Sequence, residues 1–218
     1  MDEYSVKRAV TPLRLIFWGG LLCIFDFTFS QTTNGQGFKF DILNDALGTI
    51  LIAVGVFRLG DLPVHSRYAT VMKFLQVVSV LAVLDAILDH FIISLPLAFY
   101  FALNLFGLVT LAAIVAFCVA MRWFCEAAHL GEAARSWKVT TALFVIIYLI
   151  PLGLFYLAAA AAIVTGESFN IDLGPAGLIL LPVFAIPLVH LFISTSRMKR
   201  GAETLNHPPP GPGDEYRA

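Results

Sequence analysis

Several carboxylate side chains of this protein lie within or at the start of long apolar segments, where a charge is energetically costly. Asp26, Asp85 and Asp89 fall within long apolar segments, and Asp45 opens another. Asp85 and Asp89 are four residues apart, so a helix places both on one face. A carboxylate near the centre of a membrane span costs about 2.5–3.5 kcal/mol, so it is kept where it faces a bundle interior or water. These residues predict a polar pocket that binds a cation or relays protons.

Three further polar side chains are candidates for the same chemistry. Asn104 lies about eight residues into its segment, nearly level with Asp85 when the two segments pair across a short turn. His90 follows Asp89, and His190 lies in the last apolar segment. Neutral imidazole is a common metal ligand, so these two histidines are the weak metal candidates.

A structural reading of the same residues stays open. Asp45 could cap the start of a helix, where a carboxylate suits the positive end of the helix dipole. Asp89 and His90 could be solvated or paired with each other. Asp26 and Asp85 could each be satisfied by a neighbouring hydroxyl or amide. Asp26 and Asp85 are the deepest of the set, so they are the first candidates for function.

Composition places these residues in a membrane protein. The 218 residues are 59% hydrophobic and 13% charged, with a mean hydropathy of +0.84. Soluble domains carry roughly a quarter charged residues. The sequence contains no nucleophile–base arrangement, phosphate-binding loop or cysteine metal cluster. It therefore predicts no cofactor and no nucleic-acid partner, and it does not favour an enzyme.

Six apolar segments have the length of about 20 residues that crosses a bilayer. The predicted fold is an all-α integral membrane bundle of six transmembrane helices in a single domain, residues 1–200. The approximate spans are 12–30, 40–59, 71–93, 97–121, 139–165 and 173–196. The first is interpreted as an uncleaved anchor, because Asp26 interrupts it and no small-residue cleavage site follows. The Pro/Gly-rich segment 201–218 is predicted to be a disordered cytoplasmic tail.

The basic residues fix the predicted orientation. When loops alternate across the membrane, thirteen of the 14 Lys and Arg residues fall on one side, and only Lys39 falls on the other. Cytoplasmic loops carry the excess of Lys and Arg, so both termini are predicted to be cytoplasmic. The seven acidic residues of the opposite half make that side negative, so the predicted polar pocket faces outward.

Two further features concern helix packing and the membrane surface. Gly48 and Gly55 are seven residues apart on one face of the second span, and small residues let membrane helices approach closely. Residues 122–138 combine charged side chains with Trp123, Phe124 and Trp137. This pattern predicts an interfacial cytoplasmic helix between spans four and five, anchored by its aromatic residues.

One segment resembles a sequence pattern of known proteins. Residues 37–59, GFKFDILNDALGTILIAVGVFRL, resemble a segment with the pattern FDIL-x-D-x-x-G-x-ILI. This segment occurs in small multi-pass bacterial membrane proteins of unknown function. Asn44 stands where proline is usual and Thr49 where an aromatic residue is usual. The resemblance covers about a tenth of the chain. It implies a bacterial protein of the inner, cytoplasmic membrane and implies no activity.

Two functional hypotheses follow. The first is a small transporter or channel-like protein whose outer carboxylates bind a cation or protons. The alternative is a non-catalytic membrane subunit or assembly scaffold that acts through helix–helix contacts. In both, the bilayer is one partner, and a second membrane protein or another copy of the chain is a further candidate partner.

Overall fold

The computed structural model describes residues 3–24, 28–33, 36–41, 45–89, 97–166 and 176–206. Within these ranges the chain is predominantly helical. The α-helices are α1 Glu3–Ile24, α2 Asp45–Gly60, α3 Ser66–Asp89, α4 Leu97–Ala127, α5 Gly131–Phe144, α6 Ile150–Thr165 and α7 Ala176–Asn206. A π-helical segment, Val145–Leu149, joins α5 to α6, so these two helices form one continuous rod, which we call the α5–α6 rod.

Three of these helical stretches are long and apolar enough to cross a membrane. They are Ser66–Leu88, Phe101–Ala127 and Gly131–Thr165, and at most 22% of the most apolar window of each is buried within the protein. An apolar helix that the protein itself does not bury is typical of a membrane span. α2 has only 16 residues, fewer than the roughly 20 that a span requires. The chain is thus compatible with a helical membrane protein, with three candidate spans among the described residues.

A β-hairpin replaces the predicted outer loop between the first two segments. β1 Thr28–Thr33 pairs antiparallel with β2 Gln36–Asp41, with Thr28 opposite Asp41 and Thr33 opposite Gln36. The sequence between the strands, Asn-Gly, is the pair most typical of two-residue hairpin turns. As a result, the first helix ends at Ile24 rather than near residue 30, and the second begins at Asp45 rather than near residue 40. The rest of the described chain is predominantly helical, as predicted, and the hairpin occupies a segment that was predicted as a loop.

The predicted interfacial helix over 122–138 is also wrong. α4 runs without interruption to Ala127, and a turn at 128–130 separates it from α5. At this turn the Leu130 N–H donates to the Cys125 carbonyl and the His129 N–H donates to the Glu126 carbonyl, while His129 has a φ of 58°. This hydrogen-bond pattern is the Schellman motif that ends many helices.

Burial explains why the interfacial prediction failed. Phe124, Leu130 and Trp137 supply the apolar side of the segment, but all three are buried in the core. Their apolar surface therefore packs against neighbouring helices rather than against lipid headgroups. Trp137 is fully buried and its ring meets that of Phe117 edge-on, at 6.0 Å between centroids.

Helix ends differ from the predictions at several other points. α1 already begins at Glu3, and α3 begins at Ser66, five residues before the predicted span. α7 continues to Asn206, so the first six residues of the predicted disordered tail are helical. Residues 207–218 lie outside the described ranges.

The most tightly packed part of the core lies at the end of the bundle where α1 and α3 begin and α2, α4 and α7 end. Leu13, Leu59, Tyr68, Met121 and Met198 are buried there. We call this end the basic end, because every basic residue with a described side chain lies at or near it and is exposed: Lys7, Arg8, Arg14, Arg58, Arg67, Lys73, Arg122, Arg135, Lys138, Arg197, Lys199 and Arg200.

Candidate functional site

Five polar residues of α5 and α7 form a connected cluster near the basic end. Ser136 and Thr140 are four residues apart on α5, and His190 and Ser194 are four apart on α7, so each pair lies on one helix face. The two faces meet where α5 packs against α7. Arg197, one turn beyond Ser194, completes the group, which we call the hydroxyl cluster.

Short hydrogen bonds join these residues. Ser136 Oγ lies 2.7 Å from Ser194 Oγ, and Ser194 Oγ lies 2.9 Å from Thr140 Oγ1. Thr140 Oγ1 lies 2.9 Å from His190 Nδ1 and 3.1 Å from the carbonyl oxygen of Ser136. Arg197 Nη1 donates to Ser136 Oγ at 3.3 Å. The cluster is a chain that leads from a guanidinium through three hydroxyls to an imidazole.

Burial makes this chain energetically significant. Thr140 and Ser194 are fully buried and Ser136 is 1% exposed, whereas His190 is half-buried and Arg197 is exposed. A buried hydroxyl without a hydrogen-bond partner costs about 1–3 kcal/mol, so each of the three depends on the others. This series of hydrogen bonds links the solvent-accessible guanidinium of Arg197 to hydroxyl groups that water does not reach.

A second polar feature lies further along the α5–α6 rod. Tyr148, in the π-helical segment, donates its hydroxyl to the Phe184 carbonyl of α7 at 2.6 Å. Pro151 follows this segment and has no N–H, so the Ile147 carbonyl loses its usual helical partner. Single π-helical turns inside α-helices occur frequently at functional sites.

Asp85, Tyr156 and Asn104 form a third group of polar residues, toward the end opposite the basic end. Asp85 of α3, Asn104 of α4 and Tyr156 of α6 are each half-buried. Tyr156 lies within electrostatic range of the Asp85 carboxylate. Its ring covers Gly107, one turn beyond Asn104, so closely that a Cβ on that glycine would lie 2.6 Å from the ring. We call Asp85, Asn104 and Tyr156 the acidic cluster.

The other predicted site residues are only partly described. Asp26 and His90 lie outside the described residues, and Asp89 ends α3 with its side chain undescribed. Asp45 is the first residue of α2 and is half-buried. Its carbonyl oxygen accepts the Thr49 hydroxyl at 2.9 Å and lies 4.0 Å from Cys23 Sγ. Its carboxylate therefore lies at the positive end of the α2 helix dipole.

No group of three His, Cys, Asp or Glu side chains among the described residues could hold a metal ion. The Nδ1 atom of His190 is engaged by Thr140, and the nearby Arg197 cation opposes a metal cation. Glu126 pairs with Arg122 at 2.7 Å, and His129 lies in the turn after α4 rather than on its face. Glu126 and His129, which are three residues apart, therefore belong to a helix end rather than to a metal site.

Sequence reasoning missed four of the five members of the hydroxyl cluster. It singled out His190 but not Ser136, Thr140, Ser194 or Arg197. The available signal was the four-residue spacing of Ser and Thr with Ser and His within two apolar segments. That spacing shows only that each pair shares a face, because the packing of α5 against α7 is a tertiary contact.

Comparison of the chain with protein-family models, curated proteins and solved structures finds no match. The fold and the clusters themselves define the class. The chain is a helical protein. Its described residues contain three candidate membrane-spanning helices and a buried, hydrogen-bonded polar cluster between two helices.

Proposed function

We propose that this chain is a small six-span membrane transporter for protons or another small cation, with both termini in the cytoplasm. The observation that carries the proposal is the buried chain of hydroxyls that ends at His190. Polar and ionisable residues inside a membrane bundle are costly, and they usually mark an ion or proton pathway. Ser136 and Thr140 of this cluster lie on the same rod as Tyr156, which is within electrostatic range of Asp85.

The contacts of the remaining helices favour six spans rather than three. α1 packs against both α2 and α7, and α2 packs against α3. α1, α2 and α7 are therefore integrated into one bundle with the three candidate spans. The exposed basic residues gather at the end that holds the start of α1 and the end of α7. By the positive-inside rule, this end is cytoplasmic.

The acidic cluster is proposed as the outer cation site. Asp85 is its only acidic residue, and an amide and a phenol hydroxyl can supply further oxygen ligands or relay a proton. Asp45 begins α2 and Asp89 ends α3, so both lie at the end of the bundle opposite the basic end, at the proposed rim. Asp26 is the remaining candidate, on sequence grounds alone.

Flux measurements on purified protein in liposomes test this function. We expect wild-type protein to dissipate a proton gradient or an alkali-cation gradient faster than protein-free liposomes do. Asp85→Asn should reduce this flux to the protein-free level, because the amide cannot exchange a proton or supply a negative charge. Asp61→Asn is the matched control, since Asp61 is exposed in the loop between α2 and α3 at the basic end.

Two outcomes contradict the proposal. If wild-type protein carries neither protons nor alkali cations, the transporter function is wrong. If Asp85→Asn transports as well as wild type, the acidic cluster is not the site. Native mass spectrometry adds a separate check, because a stoichiometric protein partner favours the membrane-subunit alternative over a transporter that acts alone.

A further inference from the structure

The Thr140 hydroxyl has more partners than its single hydrogen can serve. Two acceptors lie within reach of it, His190 Nδ1 at 2.9 Å and the Ser136 carbonyl at 3.1 Å. Ser194 Oγ, also at 2.9 Å, can donate to Thr140 or accept from it. A hydroxyl donates once and accepts up to twice. The single Thr140 hydrogen can therefore serve only one of these two acceptors at a time.

The Ser136 hydroxyl begins the series of hydrogen bonds. A guanidinium has donors and no acceptor, so Ser136 Oγ must accept from Arg197 Nη1. The hydrogen of Ser136 then points to Ser194 Oγ, which is the acceptor that lies within 2.7 Å. If Ser194 donated to Ser136 instead, the Ser136 hydrogen would be buried without this acceptor, at the cost of an unmade hydrogen bond.

Ser194 then donates to Thr140 Oγ1, and the Thr140 hydrogen has two acceptors within reach. When it points to Nδ1 of His190, the single hydrogen of the neutral ring is on Nε2. When it points to the Ser136 carbonyl, Nδ1 can carry a hydrogen and donate to Thr140. Within the described part of the chain, Nε2 has no hydrogen-bond partner. The orientation of the Thr140 hydroxyl is therefore coupled to the protonation of Nδ1.

We propose that Thr140 and His190 form a proton-binding site, in which the Thr140 hydroxyl turns from Nδ1 to the Ser136 carbonyl when the imidazole gains a proton. The incoming proton adds to the lone pair of Nδ1. The new Nδ1–H donates to Thr140 Oγ1, which still accepts from Ser194. No other hydrogen bond of the hydroxyl cluster changes, and the net charge of the cluster rises by one. This inference holds or fails independently of whether the protein transports anything.

Charged groups lie on α7 and on the helices packed against it. Arg197 lies on the same helix as His190 and within electrostatic range of the ring. The helices packed against α7 carry Lys7, Arg8 and Arg14 on α1, and Glu132, Arg135 and Lys138 on α5, all exposed. Tyr148 of the π-helical segment is bonded to the Phe184 carbonyl.

Nitrogen-15 NMR of histidine-labelled protein in lipid nanodiscs tests the proposal. The nitrogen shifts distinguish the Nδ1–H and Nε2–H tautomers and the protonated ring. The chain has five histidines, so His190→Gln identifies the signal of His190. In wild type we expect the neutral ring to be Nε2–H, and we expect it to become protonated reversibly as the pH is lowered.

Substitutions at Thr140 test whether its hydroxyl holds the neutral ring in the Nε2–H state. Thr140→Val removes the hydroxyl and should yield a mixture of tautomers, whereas Thr140→Ser should not.

Several results would overturn the inference. A neutral wild-type ring that is mainly Nδ1–H contradicts the proposed orientation of the Thr140 hydroxyl. A Thr140→Val protein with the wild-type tautomer contradicts the role of that hydroxyl. A ring that never becomes protonated while the protein stays folded contradicts the proton-binding site. If Thr140→Val does not fold, the wild-type tautomer and its response to pH still decide the question.

Discussion

Ser194 and Thr195 are adjacent, buried residues of α7 whose hydroxyls have different tasks. The Ser194 hydroxyl bonds across to Ser136 and Thr140 of α5, at 2.7 and 2.9 Å. The Thr195 hydroxyl bonds only to the Leu191 carbonyl of its own helix, at 2.9 Å. Only the first links two helices. The pair therefore offers an internal comparison of what the hydroxyl cluster contributes to stability.

We expect Ser194→Ala to reduce the free energy of unfolding by about 1–2 kcal/mol, because it removes two interhelical hydrogen bonds and leaves a buried hydroxyl unpaired. Thr195→Val, which preserves shape, should cost less than about 0.5 kcal/mol, since the helix already satisfies the Leu191 carbonyl. Reversible unfolding in detergent micelles measures both. Equal losses for the two variants would mean that the interhelical chain contributes nothing.

The sequence identified polar residues through their depth within an apolar segment more readily than through their hydrogen-bond partners. Asp85 was singled out because a carboxylate inside an apolar segment is expensive, and that argument needs no tertiary structure. Ser136, Thr140 and Ser194 are common in membrane helices and carry no such signal alone. Their importance depends on burial and on facing one another across two helices. No single-sequence pattern specifies that α5 lies beside α7.

At the level of helices, α1 and α2 approach closely through glycine. A Cβ added to Gly48 would lie 2.6 Å from Cys23 Sγ and 2.8 Å from the Gly19 carbonyl oxygen. One added to Gly55 would lie 2.7 Å from the Pro12 carbonyl oxygen. Since backbone oxygens cannot turn away as side chains can, these glycines bring the two helix backbones together.

Gly48→Ala is therefore expected to destabilise the protein by about 1–3 kcal/mol, the usual cost of forcing an extra carbon into packed structure. Gly131→Ala is the matched control, because nothing lies within 4 Å of the added Cβ. It should be neutral or stabilising by up to about 1 kcal/mol, since alanine favours helices over glycine. Thermal unfolding of both variants checks the expectation. A Gly48→Ala protein as stable as wild type would argue against close packing of α1 on α2.

Apolar length predicted the helices well, but their interruptions were not predictable in the same way. The turn after α4 has its positive φ at His129, whereas helix-ending turns usually have glycine there. Gly131, where the sequence alone would suggest the positive φ, instead begins α5. The π-helical segment is equally hidden, because its residues, Val-Ile-Ile-Tyr-Leu, are an ordinary apolar run.

The whole molecule is polarised by charge along its long axis. The described basic side chains cluster at or near one end, and Asp85 lies toward the other. The α5–α6 rod spans between them. Its 35 residues, Gly131–Thr165, rise about 50 Å, which exceeds the 40–45 Å or so of a bilayer with its headgroups. Both ends of this rod should therefore reach water, on opposite sides of the membrane.

Cysteines at the two ends of the rod test the proposed orientation. Gly131 and Thr165 are both exposed, whereas Cys118 and Cys125 are buried and Cys23 is half-buried, so the wild-type protein supplies the background. In intact cells, a membrane-impermeant maleimide should label Thr165→Cys and not Gly131→Cys. After permeabilisation it should label both. The reverse pattern in intact cells would invert the topology, and labelling of both positions before permeabilisation would mean that the rod does not cross the membrane.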